Sequence, residues 1–194
     1  MNLMYFIFFN LVIYLPFHLF EEAVGDFPKW MYEHKWLPYH MTHGHWMANN
    51  LFIYYPMLLV SVFLFVFINQ FVCFGVAILI WGIINFGDHF FYTIKDIVNE
   101  LYLCVLHPNL IEYTADTKSQ NANTKCVYYR KISPGLITGT LFLVNSIFGL
   151  RNYYFSDFFS VYQLIIGILI GGVFFGLPMG LCVVLYKFFD KYFK

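Results

Sequence analysis

Five apolar runs separated by short polar clusters set the frame of this chain. They cover roughly residues 3–20, 47–68, 72–94, 134–150 and 160–186, lengths suited to helices crossing about 30 Å of hydrocarbon. The pattern predicts an all-α, polytopic helix bundle of about five spans, forming a single membrane domain over residues 1–194. The fourth run is the shortest. Between the third and fourth runs the pattern changes. Ile97, Val98, Leu101, Tyr102 and Val105 form an apolar stripe that predicts an amphipathic segment over 95–113, lying in the membrane plane. Thr114–Lys125 is polar and predicts a mobile stretch, so 95–130 reads as an interfacial or mobile region.

Composition supports the membrane reading. The chain is 60% hydrophobic and 11% charged, whereas a soluble domain carries about 25% charged residues. The first run has no Lys or Arg before it and no small-residue cleavage site after it, so a retained helix is expected rather than a signal peptide. Cys73, Cys104, Cys126 and Cys182 form no C-x-x-C pair, and no disulfide framework or thiolate metal site is expected. Lys plus Arg and Asp plus Glu balance at 11 each, without a basic run that would suit nucleic acid.

Five spans would place Lys29, Lys35, Lys95, Lys118, Lys125, Arg130, Lys131, Lys187, Lys191 and Lys194 on one side and Arg151 alone on the other. That asymmetry predicts an external N-terminus and a cytoplasmic C-terminus in a multi-pass protein of a bacterial-type inner membrane. Membrane lipid is the expected partner. Arg130 and Lys131 read as topogenic cations, with anionic headgroups as the alternative.

Against this apolar background the polar residues stand out. His18, Glu21 and Glu22 close the first run at spacings i, i+3 and i+4, which puts them on neighbouring helix positions. Ionisable groups there need water, a metal or each other. Pro16 is expected to bend the helix just before His18. Asn49 and Asn50 open the second span, where capping or helix-to-helix hydrogen bonding is expected. Near the end of the third span come Asn85, Asp88 and His89, with Asn85 and His89 four apart on one face. The first and third spans run in the same direction, so His18 and His89 are expected at similar depth.

The connector 23–46 carries His34, His40, His43 and His45 interleaved with Trp30, Trp36 and Trp46. His40, His43 and His45 could offer nitrogens to one ion, but a wet interfacial loop is the favoured reading. Ser133 is expected to cap the fourth helix, with Pro134 at its first position. In the last span Gly167, Gly171, Gly172, Gly176 and Gly180 offer a smooth face for close packing and for homo-oligomer formation.

Taken together, His18-x-x-Glu21-Glu22, Phe27-Pro28-x-Trp30, Asn85 with His89, and Ser133-Pro134-Gly135-Leu136-Ile137-Thr138 give a chain that resembles the integral membrane proteins named for their HXXEE motif. The resemblance covers most of residues 5–150. Ile132 stands where that family has tyrosine, and the interval from His89 to Pro134 is longer than in the family, which leaves His107 as a rival second histidine. The resemblance implies the fold and the site residues. That family is functionally uncharacterised, so the resemblance bears less on function, where a metal-dependent membrane hydrolase is the expectation.

On the residues themselves, the first functional reading is an intramembrane metalloenzyme. His18, His89 and Glu21 or Glu22 would bind a divalent metal, zinc best fitting, and the remaining glutamate would act as general base. Asn85, Asp88 and Asn50 would support the site. Hydrolysis of a lipid or membrane-associated substrate at the cytoplasmic leaflet would follow. The alternatives are a non-enzymatic metal or small-ligand binder, and a polar cluster that merely locks helices together.

Overall fold

The computed structural model describes residues 3–34, 37, 39–68, 71–106 and 132–192. Expectations for Lys35, Trp36, His107, the polar stretch Thr114–Lys125, Cys126, Arg130, Lys131 and Lys194 lie outside these residues.

The described chain is all-helical. Its helices are α1 (Leu3–Gly25), α2 (Phe27–Glu33), α3 (His43–Phe67), α4 (Val72–Leu106), α5 (Leu136–Tyr154), α6 (Val161–Val184) and α7 (Tyr186–Tyr192). Helices α1, α3, α4 and α6 are long and apolar enough to span a membrane. Large side chains such as Phe8, Val12, Phe63, Phe67, Leu169 and Val173 are exposed on their outer faces. Water would penalise that surface and lipid does not, so this is an integral membrane protein. Helix α5, with 19 residues that include Asn145, Arg151 and Asn152, is more polar than these four and packs within the bundle against α1 and α4.

Helix α4 is the hub, packed against α1, α3, α5 and α6. At about 1.5 Å rise per residue, its 35 residues outrun the hydrocarbon by several turns. The segment beginning at residue 95, expected to lie in the membrane plane, continues α4 without a break as far as Leu106.

Polar side chains tie α1, α4 and α5 together. Asn10 Nδ2 donates to Ser146 Oγ at 3.0 Å, and Asn145 Nδ2 donates to Asn10 Oδ1 and to the Phe6 carbonyl, both at 2.7 Å. Without water in the bilayer core, such amides find their partners on neighbouring helices. Gly82 of α4 makes room for this knot, because a Cβ there would lie 2.7 Å from Ser146 Oγ.

Two π-turns interrupt the long helices. Tyr14–His18 lies within α1 around Pro16, and Asn50–Tyr54 lies within α3 shortly before Pro56. A proline ring removes one amide and crowds the carbonyl four residues earlier, and a wider turn relieves both. The bend expected at Pro16 takes this form. Helix α3 is capped by Thr42, whose Oγ1 accepts from the His45 amide at 3.1 Å. Asn49 and Asn50, expected to cap or to hydrogen-bond between helices, lie buried inside the helix, and Asn50 takes the second part by accepting from the Tyr14 hydroxyl of α1.

The glycine face of α6 is divided. A Cβ on Gly167 would lie 2.6 Å from Val76 Cγ1, and one on Gly171 would lie 2.8 Å from Ile80 Cγ2, so both glycines serve packing on α4. Gly172, Gly176 and Gly180 face open space. Gly171→Leu is therefore expected to lower unfolding stability in detergent by about 1–3 kcal/mol, while Gly176→Leu leaves it unchanged. Equal effects in a thermal or denaturant titration would contradict this packing.

Candidate metal centre

The π-turn in α1 delivers His18, and the regular helix that follows places Glu22 one turn later, on the same face. Helix α4 brings His89 against them, with the two imidazoles edge to face at a centroid distance of 5.3 Å. Glu22 Oε1 lies 3.4 Å from His18 Nε2 and 3.6 Å from His89 Nε2. One ligand atom from each of these three buried residues falls within 4.8 Å of the other two. Tetrahedral bonds of about 2.0–2.2 Å separate ligand atoms by about 3.3–3.6 Å, and the two spacings to Glu22 match those edges.

The hydrogen bonds around His18 fix which of its two nitrogens carries the proton. Glu21 accepts at Oε1 from the Ile137 amide (3.0 Å), and at Oε2 from the Thr138 amide (2.8 Å) and hydroxyl (2.6 Å). A carboxylate only accepts, so Thr138 Oγ1 gives its proton to Glu21 and must itself accept from His18 Nδ1, 2.7 Å away. In a neutral imidazole this leaves Nε2 with a lone pair facing Glu22. His89 also meets a hydroxyl at its Nδ1. Its Nδ1 lies 2.8 Å from Ser133 Oγ, which donates to the Pro134 carbonyl at 3.4 Å. His18 Nε2, unprotonated and accepting from Asn85 Nδ2, thus meets a His89 nitrogen and a carboxylate oxygen in a buried space, an arrangement that favours a cation.

The other Glu22 oxygen accepts from Trp46 Nε1 at 3.2 Å. Gly135 covers both rings. It has φ 97°, and a Cβ there would lie 2.6 Å from His89 Cε1 and 2.9 Å from His18 Cε1. Pro134 packs against Gly25, so the Ser133-Pro134-Gly135 turn seals the end of α1 over the cluster. Ser133 does not cap α5 as expected. Gly135 occupies the N-cap position, the Ser133 hydroxyl serves His89, and Glu21 caps the helix from outside through backbone amides whose dipoles favour an anion.

A cavity of about 20 Å³ adjoins the cluster, lined by Tyr14, Asn50, Trp81, Asn85 and Asp88 among others. That is room for one water-sized group. Asn85 Nδ2 donates to His18 Nε2 at 3.3 Å, while Asn85 Oδ1 and Trp81 Nε1 are buried without hydrogen-bond partners among the described residues. An acceptor and a donor are thus left for a molecule held in the cavity. The Tyr14 hydroxyl donates to Asn50 Oδ1, and Asn50 Nδ2 donates to the Trp46 carbonyl at 2.9 Å, which uses a backbone acceptor where the π-turn begins.

The two glutamates, read together from sequence, have separate surroundings: Glu22 faces the histidines and Glu21 faces α5. The connector histidines disperse. His43 pairs with Asp26 at 3.1 Å, His40 lies edge-on to Tyr32, and His45 is buried with Nε2 3.5 Å from Cys182 Sγ. His34, between the Trp30 carbonyl at 2.6 Å and Asp96 at 2.5 Å, ties the connector to α4. Thr138, Ser133 and Trp46 were not among the sequence candidates. The hydroxyls looked like helix-start residues and the indole like an interface anchor, and only the Ser-Pro-Gly-x-x-Thr order hinted otherwise.

Compared with protein-family models, curated proteins and solved structures, the chain matches none. Gly135→Ala is the sharpest probe of the geometry, since it adds strain at positive φ as well as a clash with both imidazoles. Its expected effect is a loss of about 1–3 kcal/mol, against little change for Gly87→Ala, where a Cβ meets nothing within 4 Å. Denaturation of both variants in detergent checks it.

Proposed function

We propose that the protein is a metal-dependent, membrane-embedded hydrolase that acts on a lipid or membrane-associated substrate, with zinc the best-fitting ion. The observation that carries this reading is the convergence of His18, His89 and Glu22, one ligand atom of each lying within 4.8 Å of the other two, with the His18 Nδ1 proton held by Thr138. Two histidines and a glutamate are one of the ligand sets of catalytic zinc, which leaves a fourth position open. When bound there, the ion supplies Lewis-acid chemistry and brings the pKa of water to about 7.

The protein's own residues take distinct parts. Thr138, backed by Glu21, holds His18 in orientation and tautomer, and Ser133 holds His89 in orientation. Trp46 orients Glu22. Asp88 lines the cavity and is the carboxylate placed to accept or return a proton there, a part first assigned to whichever of Glu21 and Glu22 does not bind the metal. Asn85 Oδ1 is an acceptor left open to a held water. Residues of the three sequence motifs behind the HXXEE resemblance meet at this one site, which supports membership of that family. The cation asymmetry of the sequence supports a cytoplasmic-leaflet site in an inner membrane.

A second reading, metal binding without turnover, is favoured by the size of the cavity, since about 20 Å³ admits little beyond water.

Elemental analysis of protein purified in mild detergent, after loading with zinc, manganese or iron, tests the centre. About one ion per chain is expected in the wild type, with loss in His18→Ala, His89→Ala and Glu22→Gln. Thr138→Val is expected to bind about 10–100-fold more weakly. No ion in the wild type, or equal retention in all variants, would remove the metal. A loaded protein inert toward lipid esters, lipid amides and membrane peptides would select the binding role over the hydrolase.

A further inference from the structure

A second group of metal-ligating side chains lies outside the centre described above. Met41, His45 and Cys182 are all buried, at 1%, 1% and 0% exposure. Cys182 Sγ is 3.5 Å from His45 Nε2 and 3.7 Å from Met41 Sδ. The cysteine comes from α6 near its end, His45 from the first turn of α3, and Met41 from the connector just before it. They sit in an apolar cluster with Phe27, Trp30, Met31, Leu37 and Trp46.

We propose that Met41, His45 and Cys182 form a soft-metal site for monovalent copper. The donor set is the first reason. A thiolate, a thioether and an imidazole together select soft ions, and carboxylates, which suit harder ones, are not among the three. Spacing is the second. Tetrahedral bonds of about 2.3 Å to sulfur and about 2.0 Å to nitrogen put a nitrogen and a sulfur about 3.5 Å apart and two sulfurs about 3.8 Å apart. The observed 3.5 and 3.7 Å are close to those edges. Charge is the third. One thiolate and one monovalent ion are neutral together, so burial in an apolar cluster carries no net charge, whereas a divalent ion would leave one positive charge among these three groups.

The surroundings hold these donors in place. Thr42 caps the helix turn that carries His45, and the Tyr39 hydroxyl donates to the Cys182 carbonyl at 2.9 Å. On binding, the Cys182 S–H proton is released to the buffer as a sulfur–copper bond replaces the S–H bond, and neither partner changes oxidation state. His45 adjoins Trp46, the donor to Glu22. The soft site and the His–Glu centre therefore share one stretch of α3 while using separate ligands.

The test is anaerobic titration of the full chain in detergent with cuprous ion buffered by bicinchoninate, a colorimetric competitor. One copper per chain is expected, bound at least tenfold more weakly by Cys182→Ser and by Met41→Leu, a change that preserves side-chain volume and serves where the cysteine variant folds poorly. Cys73→Ser/Cys104→Ser/Cys126→Ser and His18→Ala are expected to bind as the wild type does, which separates this site from the other cysteines and from the His–Glu centre. No withdrawal of copper from the competitor would overturn the proposal. So would unchanged binding in both site variants, loss in His18→Ala, or displacement of the copper by equimolar zinc.

Discussion

Two imidazoles and a carboxylate held together out of water constrain the rest of this bundle. In a membrane interior such groups are tolerated only when every lone pair and proton is accounted for. The relay from Glu21 through Thr138 accounts for Nδ1 of His18, the Ser133 hydroxyl meets Nδ1 of the other histidine, and the Nε2 atoms are left to face Glu22. Both relays end at the start of α5, so the position of that helix and the orientation of both rings are one structural fact. Gly135 is the hinge of the arrangement, because only a residue without a Cβ lets the turn close over the two rings.

The prolines contribute from a distance. Pro16 and Pro56 would break regular helices, and the π-turns beside them absorb the disturbance while adding one residue to a turn. That extra residue changes which side chains face inward. Tyr14 and His18 bound one π-turn, Asn50 and Tyr54 the other, and all four line the cavity. Helix α6, in turn, can approach α4 closely only because Gly167 and Gly171 leave space for Val76 and Ile80. The same approach carries Cys182 to Met41 and His45.

Much of this was legible in the sequence where the information was local. Apolar runs of sufficient length gave the membrane bundle, the four-residue spacing put His18 and Glu22 on one face, and the shared direction of two spans put His89 at their depth. The expected cap at Ser133 failed because a serine before Pro-Gly looks the same whether it caps a helix or serves a histidine 44 residues earlier. Glu21 could not be separated from Glu22 by spacing alone, since the difference lies in α5, more than a hundred residues away. The Cys182 cluster was hidden for the same reason, with a sequence separation of 141 between Cys182 and Met41. The unbroken α4 was obscured by its own composition, because an amphipathic end to a long helix reads like a separate surface segment.

The central claim is that His18, Glu22 and His89 together hold one ion, and zinc K-edge X-ray absorption on the loaded, full-length protein in detergent tests it most directly. Expected is a first shell of two imidazole nitrogens and one carboxylate oxygen at about 2.0–2.2 Å, completed by one further oxygen donor and free of sulfur. A shell of oxygen atoms without imidazole scattering, or one containing sulfur at about 2.3 Å, would place the ion elsewhere and contradict the account.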